Sequence, residues 1–218
     1  MSINEIKTAL ESSNFQDRLK ALTALRQYEP EVAVPLLLSH VRDREFLVRS
    51  FVAMGLGKKQ TADSFAALLE MIKFDRDPNV RAEASNSLSL FGQISASHLV
   101  QTFLRDDHWL VRRSILAALN ELDCPGELFE VCLCGLEGED QSVKEASIES
   151  LSRFANSPQQ DAALGYILPL AQDSWWRNRM RAAQALTRFN CPQAKDILAI
   201  LRKDEHHRVV AAALEAAI

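Results

Sequence analysis

One arginine-centred pattern recurs along this chain at a nearly constant interval, and it restricts the fold more than any other feature. In its clearest copy, Asp77-Pro78 precedes Val80-Arg81. The basic position recurs 31 to 35 residues apart, at Arg18, Arg49, Arg81, Arg112, Lys144 and Arg179, with Val210 in the seventh place. Seven copies in phase indicate an internal repeat, and this period is typical of a solenoid of paired helices.

Small and apolar residues follow each basic position at helical spacing. Three residues later come Ala21, Val52, Ala84, Ile115, Ser147, Ala182 and Ala213. Seven residues later come Leu25, Leu56, Leu88, Leu119, Leu151, Leu186 and Ala217. Positions related by three and four lie on the same face of an α-helix. The pattern therefore predicts an all-α solenoid, a right-handed superhelix of about seven helical hairpins and fourteen helices.

We predict one uninterrupted array over residues 1–218 rather than two domains. The predicted repeat bounds are 1–27, 28–57, 58–92, 93–122, 123–154, 155–189 and 190–218. Gly57 and Gly92 are predicted to close two of the helices, because glycine accepts the conformation that ends a helix. Pro169 lies well inside a predicted helix, where it should cause a kink or a break.

Composition excludes some classes of protein. The formal net charge of −4 argues against a protein that mainly grips a phosphate backbone, so we expect no nucleic-acid partner. The N-terminus lacks the pattern of a signal peptide, and no uncharged apolar run approaches the length of a membrane span. We therefore expect a cytoplasmic protein without a membrane partner.

No enzymatic constellation is evident, and we assign no catalytic residue and no metal site. The chain lacks a Gly-rich phosphate loop, a nucleophile elbow and an HExxH motif. The four cysteines do not have metal-ligand spacing, which favours their being small buried side chains. His206 and His207 have no evident partner, and Glu145 with Glu149 is typical of a solvated helix surface.

The repeated pattern resembles a known family. An aspartate is followed after two to five residues by Val-Arg, then after two residues by Ala, and after three more by Leu. This pattern looks like the short HEAT-like repeat of the phycobilisome lyase family, over essentially the entire chain. Departures are Asp17 in place of valine, Lys144 in place of arginine, and Val210. The resemblance implies that the Val-Arg helices line a concave surface and that loop aspartates and helix arginines form a ladder between successive repeats.

That ladder accounts for the repeated arginines structurally rather than functionally. A stacked array needs one charge-assisted bond per repeat, and such bonds also satisfy loop backbone. The predicted ladder residues are Asp43, Arg49, Asp77, Arg81, Asp107, Arg112, Asp140, Lys144, Asp173 and Arg179.

The residues that the repeat does not explain are the candidates for binding. All three tryptophans precede a Val-Arg-type helix, and additional arginines and a histidine lie beside them. The candidates are His108, Trp109, Arg113, Trp175, Trp176, Arg177, Arg181 and Arg188. Five residues of the Val-Arg helices are expected to face the groove formed by the concave surface: Arg113, Ser114, Met180, Arg181 and Arg188. Aromatic faces stack on planar ligands and guanidinium groups pair with carboxylates, which suits a linear tetrapyrrole with two propionates. The alternative is that the tryptophans fill joints between repeats and the arginines are solvated.

The family resemblance implies a cyanobacterial binding module. Compact size and a single array are most like the members that act in phycobilisome degradation, which implies phycobiliprotein subunits as partners and no stable cofactor, with a linear tetrapyrrole contacted transiently. A bilin lyase or lyase subunit acting on phycobiliprotein cysteines is the enzymatic alternative. A general protein-interaction scaffold is a further alternative, because fold does not fix function. HEAT-like DNA glycosylases also use groove tryptophans, but they need a basic groove.

Overall fold

Helices provide the regular secondary structure of residues 1–215, the part of the chain that the computed structural model describes. The α-helices are α1 Ile3–Leu10, α2 Phe15–Ala24, α3 Pro30–Leu38, α4 Phe46–Lys59, α5 Ala62–Phe74, α6 Pro78–Ser89, α7 Ala96–Arg105, α8 Trp109–Asn120, α9 Pro125–Glu137, α10 Gln141–Leu151, α11 Gln160–Ile167, α12 Trp176–Leu186, α13 Pro192–Leu201 and α14 His207–Leu214. Short 3₁₀ helices cover Leu25–Gln27, Gly92–Ser95, Ser152–Phe154 and Leu168–Gln172. The predicted all-α fold is confirmed. Ala217 lies outside the described residues.

Helix starts follow the capping signals in the sequence. Ser2 and Glu5 form a capping box at α1, in which each side chain accepts a hydrogen bond from the other residue's backbone N–H. Thr61 and Asp77 cap α5 and α6 through backbone N–H groups of the first turn. These bonds satisfy donors that have no partner inside the helix.

The chain divides into two compact units, residues 1–127 and 128–218, with the division inside α9. In unit 1, α2 packs on α4, α4 on α6 and α6 on α8. In unit 2, α10 packs on α12 and α12 on α14. The helices that carry the repeated basic position thus stack on one another within each unit, and their partners pack against them as hairpins. The finer repeat bounds and the right-handed sense of the array stay predictions.

The apolar positions of the repeat form the core of each unit. Val52, Leu56 and Leu88 in unit 1, and Leu151 and Leu186 in unit 2, are fully buried. Burying such a side chain stabilises the fold by roughly 1.5–3 kcal/mol each.

The prediction that Gly57 closes a helix is wrong. Helix α4 continues to Lys59, and Gln60 adopts the left-handed conformation with φ 47°. Gly57 is buried where α4 meets α6, and an added Cβ would lie 2.7 Å from Cβ of Ser87. Glycine is therefore needed there for close packing of two helices and not for a helix end.

Pro169 interrupts its helix as predicted. Helix α11 ends at Ile167, and the chain continues as a 3₁₀ helix from Leu168 to Gln172. Proline has no backbone N–H to donate to the preceding turn, so the regular hydrogen-bond pattern cannot pass through it.

Buried arginine–aspartate pairs connect successive repeats. Arg49 donates from Nε and Nη2 to the two carboxylate oxygens of Asp75 at 2.6 and 2.9 Å, and from Nη1 to the carbonyl of Asp43 at 2.8 Å. Arg81 binds Asp106 and the carbonyl of Asp75 in the same way. Each arginine thus holds its own loop and the next one.

The same geometry recurs at both ends of the array. Arg18 pairs with Asp43, and Arg179 pairs with Asp204 at 2.7 and 3.0 Å. The hydrogen bond from Arg179 lowers the pKa of Asp204, because it favours the charged carboxylate. The hydrogen bond to Asp75 likewise raises the pKa of Arg49.

Several of the predicted ladder aspartates have other roles. The carboxylates that bind Arg49 and Arg81 belong to Asp75 and Asp106, and not to the predicted Asp77 and Asp107. Asp77 caps α6, because a residue four positions before the arginine stands at the N-cap. The partner aspartate stands six positions before an arginine, as at Asp43 and Asp75.

The remaining predicted ladder positions depart from this pattern. Asp140 caps α10, and the side chain of Asp173 accepts a hydrogen bond from the backbone of Trp175, while its carbonyl accepts from Arg179. Arg112 donates to the carbonyl of Asp106 at 2.7 Å and lies over the ring of Phe103. In the fifth repeat, Lys144 replaces arginine and Gly138 stands at the aspartate position.

The four cysteines differ in exposure. Cys124 and Cys132 are buried, whereas Cys134 and Cys191 are partly exposed. Burial raises the pKa of the Cys132 thiol to about 12, because it disfavours the thiolate. Reactivity with electrophiles requires the thiolate.

We predict that Arg81→Ala lowers the free energy of unfolding by about 3 kcal/mol, since it leaves a buried carboxylate unpaired. The side chains of Arg81 and Asp106 are only 17% and 8% exposed. Urea unfolding would measure the loss. Lys20→Ala is the control, because the 3.8 Å pair of Lys20 with Asp17 is largely exposed and should contribute less than about 1 kcal/mol. Equal losses in the two variants would contradict a structural role for the buried pair.

We predict that iodoacetamide labels Cys134 and Cys191 in the folded protein at pH 8 and leaves Cys132 unmodified. Peptide mass spectrometry after timed labelling would identify the modified positions. Unfolding in urea before labelling should make all the thiols reactive. Labelling of Cys132 in the folded protein as fast as Cys191 would be incompatible with its burial.

Candidate functional site

Unit 2 carries a stack of four aromatic rings, which we call the aromatic stack: Trp175, Trp176, His206 and His207. The rings of Trp176 and His206 lie face to face with centroids 4.0 Å apart and an interplanar angle of 5°. The ring of His207 follows at 4.9 Å from His206, and that of Trp175 lies 6.4 Å from Trp176.

Repeat geometry produces this stack. Trp175 and His206 are the N-cap residues of α12 and α14, and Trp176 and His207 are the first residues of those helices. Equivalent positions come together because α12 packs on α14 and the Arg179 pair holds the two loops. The imidazole Nδ1 of His206 also accepts a hydrogen bond from the backbone of Arg208.

Two guanidinium groups flank the indole of Trp176. The Cζ atoms of Arg177 and Arg208 each lie 5.4 Å from the ring centroid of Trp176. This is within the range of cation–π attraction. Both arginines are exposed, and Trp175 is 43% exposed. Unit 2 therefore presents apolar ring faces and two cations to solvent at one place.

Arg181 forms ion pairs with two glutamates of unit 2. Its Nε lies 3.4 Å from Glu145 and its Nη1 lies 3.6 Å from Glu149. Arg177 also approaches Glu145, at 3.8 Å. The Glu145 side chain is only 14% exposed, so it is largely buried where α10 packs on α12 and is not part of a solvated helix surface. A ligand carboxylate would have to compete with Glu145 for Arg181.

The other predicted residues of unit 2 lie near the end and the middle of α12. Arg188 is exposed, two residues after the last residue of the helix. Met180 is half-buried.

The predicted residues of unit 1 form a smaller group at the start of α8. His108 caps the helix by accepting from the backbone of Leu110, and its ring stacks on Trp109 at 5.9 Å. Trp109 is 43% exposed and Arg113 is exposed, whereas Ser114 is half-buried. Trp109 therefore does not fill a joint within unit 1.

Sequence reasoning missed His206, Arg208 and Glu145. His206 occupies the same repeat position as Trp175, so aligning the repeats by their N-caps would have placed it beside the tryptophans. Glu145 is one position after the basic residue of its repeat, and Arg181 is two after its own. Opposite charges at neighbouring positions of stacked helices were the available signal.

The arrangement in unit 2 suits binding of a flat group that carries negative charge. Indole and imidazole faces offer stacking area, and guanidinium groups form paired hydrogen bonds with carboxylates.

Within residues 1–215, no helix combines the length and apolarity needed to cross a bilayer.

Comparison with curated proteins gives a partial relative. Deoxyhypusine hydroxylase-B from Oryza sativa subsp. japonica is 30% identical over 123 residues, which is 55% of this chain and 41% of that protein. The chain thus matches less than half of the length of that relative.

Two solved structures share the fold over the full length of this chain. The YibA protein of Escherichia coli superposes with a TM-score of 0.68 at 19% identity, covering 100% of this chain and 82% of that one. The CpcE–CpcF complex of phycocyanin lyase from Nostoc sp. PCC7120 gives a TM-score of 0.55 at 17% identity, covering 100% and 87%. At these identities the likeness concerns the fold.

The family model for HEAT repeats matches three stretches of this chain. Residues 3–89 and 41–120 overlap, and residues 129–218 follow separately. These stretches include nearly every helix described above. This chain is therefore a member of the HEAT-repeat family.

Proposed function

We propose that this HEAT-repeat chain is a non-catalytic binding module for phycobiliprotein subunits and that it assists phycobilisome degradation. In this proposal the aromatic stack of unit 2, with Arg177 and Arg208, contacts the bilin-bearing surface of the subunit.

The observation that carries the proposal is the exposure of a charged aromatic cluster. Trp175 is 43% exposed, and Trp176 lies between two guanidinium groups at 5.4 Å. Tryptophan and arginine are the residues most enriched among binding hot spots. A cluster needed only for packing would not leave an indole and two guanidinium groups facing solvent.

The chemistry of a linear tetrapyrrole suits this cluster. A bilin is a planar, conjugated chain with two propionates, so its rings would stack on the indole faces and its carboxylates would pair with guanidinium groups. Arg208 has no competing carboxylate in the described contacts of the stack, whereas Arg177 shares Glu145 with Arg181. We therefore assign the stronger carboxylate contact to Arg208.

The phycobiliprotein class rests on the family pattern and on shared architecture. The repeated Val-Arg pattern resembles that of the phycobilisome lyase family, and the fold matches the CpcE–CpcF complex of a phycocyanin lyase along the full chain. HEAT arrays commonly present extended surfaces to proteins. Trp109 and Arg113 offer unit 1 a contact of the same chemical type.

We predict that the double variant Trp175→Ala, Arg208→Glu weakens binding to purified phycocyanin by about thirtyfold or more, because each of the two contacts contributes at least about 1 kcal/mol. Biolayer interferometry at two salt concentrations would measure the affinity. Higher salt should weaken wild-type binding, because exposed charges are screened.

The control is Lys195→Glu, an exposed cation on α13 of the same unit. It matches the charge reversal but lies outside the stack, so it should retain affinity within about threefold. An equal loss of affinity in the control would show that only the net charge matters. Unchanged binding by the double variant would show that the aromatic stack is not part of the interface. A parallel titration with bilin-free subunit separates contact with bilin from contact with protein.

A further inference from the structure

The loop edge of unit 1 carries five exposed cations, which we call the basic edge: Arg42, Arg44, Lys73, Arg76 and Arg105. They lie in or beside the loops that precede α4, α6 and α8. Each of these loops also contains the aspartate that binds an arginine of the preceding repeat, namely Asp43, Asp75 and Asp106.

The buried pairs leave the basic edge with excess positive charge. Asp43, Asp75 and Asp106 are neutralised by Arg18, Arg49 and Arg81, and their side chains are 7–8% exposed. The carboxylates that remain at this edge are Glu45, Glu70, Asp77 and Asp107, of which Glu45 lies 3.8 Å from Arg44 and Asp77 caps α6. Five cations therefore stand against four carboxylates, which leaves an excess of one positive charge at this edge on a chain whose net charge is −4.

Two hollows open along the basic edge, one on each side of Phe74. The first has a volume of about 730 Å³ and is bounded by Arg42, Arg44, Met71 and Arg76. The second has a volume of about 610 Å³ and is bounded by Lys73, Thr102 and Arg105. Phe74 lines both hollows.

Phe74 is the most unusual side chain of this edge. It is 63% exposed at the last residue of α5, and the ammonium of Lys73 lies 4.9 Å from its ring centroid. A solvent-facing phenylalanine between two hollows supplies an apolar contact area that the fold itself does not use. Exposed aromatic rings within a charged rim are typical of binding surfaces.

We propose that the basic edge of unit 1 binds an acidic, extended segment of a partner protein, with one apolar side chain in the hollow on each side of Phe74. The ligand's carboxylates pair with Arg42, Arg76 and Arg105, which are exposed and lie outside the buried ladder. This site uses unit 1 alone and does not depend on the aromatic stack.

The spacing of the hollows limits the ligand. Neighbouring helices in a stack lie roughly 8–10 Å apart, and α5 packs against both α3 and α7 in unit 1. A segment in the extended polyproline II conformation advances about 3.1 Å per residue and presents every third side chain on the same face. The two apolar side chains should therefore stand three residues apart, with acidic residues between and beside them.

Charge and apolar content together favour a peptide over a nucleic acid. Glu70 and Asp107 lie among the cations and line the hollows, where they would repel a continuous row of phosphates, whereas a peptide can place its apolar side chains at these carboxylates and its acidic side chains at the arginines. Phosphate-backbone binding needs an uninterrupted row of cations and gains little from a single phenylalanine.

The test uses a fluorescein-labelled peptide of sequence Glu-Leu-Asp-Glu-Leu-Glu and the full-length chain. Fluorescence anisotropy should give saturable binding at up to about 1 mM protein, the weak-affinity range expected of a short peptide. A peptide of the same composition with adjacent leucines tests the spacing, and Lys-Leu-Lys-Lys-Leu-Lys tests the sign of charge. Both should bind at least about tenfold more weakly.

Paired variants locate the site. Arg42→Glu with Arg76→Glu, and separately Phe74→Ala, should each weaken binding of the acidic peptide about tenfold or more. Arg26→Glu with Lys58→Glu is the matched control, since both residues are exposed cations of unit 1 outside the basic edge, and it should change affinity less than threefold. Circular dichroism melting of each variant verifies that the fold is intact.

Several results would overturn the proposal. These are the absence of saturable peptide binding, equal binding of the acidic and basic peptides, or equal losses in the edge and control variants. Tighter binding of a single-stranded oligothymidine of matched charge, lost in the edge variants, would reassign the surface to nucleic acid.

Discussion

The guanidinium group that joins two consecutive loops is the interaction on which this structure depends. Arg49 binds a carbonyl of its own loop and both carboxylate oxygens of the next, so one side chain fixes the relative placement of two repeats. A planar donor fork is suited to this role, whereas an ammonium cannot make the same paired bonds. The fifth repeat shows the contrast, since it has Lys144 at the arginine position and follows Gly138 at the aspartate position.

Sequence alone predicted the helices and the repeat because both follow from local periodicity. It did not identify the ladder partners, because Asp75 and Asp77 are equally plausible in the sequence and differ only in the direction of their side chains. The contact of Trp176 with His206 was also missed, since it joins residues thirty positions apart and arises only when α12 packs on α14. The sequence predicts a solvated Glu145, whereas in the structure Arg177 and Arg181 lie 3.8 and 3.4 Å from its carboxylate.

The two candidate surfaces arise from one construction rule. In unit 2, the N-cap positions and the helix positions next to them hold aromatic rings and arginines, so the stacking of repeats brings rings and cations together. In unit 1, the loops hold additional arginines beside the ladder aspartates, and those aspartates are already paired with the buried arginines. Each candidate surface therefore arises from positions that the stacking itself leaves free to vary.

The fixed geometry of the ladder also determines where such a chain can grow. The aspartate and arginine of one loop are always six residues apart, at 43 and 49, 75 and 81, 106 and 112, and 173 and 179, although the repeats themselves differ in length. The longest interval, from Lys144 to Arg179, contains a 3₁₀ turn at Ser152–Phe154 and Asn156 in the left-handed conformation. This turn follows the C-terminal end of α10, whereas the ladder loops precede the N-terminal ends of helices. Evolution can thus insert residues at the 152–160 turn without disturbing repeat stacking, whereas a single insertion between Asp43 and Arg49 would move the guanidinium of Arg49 away from the Asp43 carbonyl.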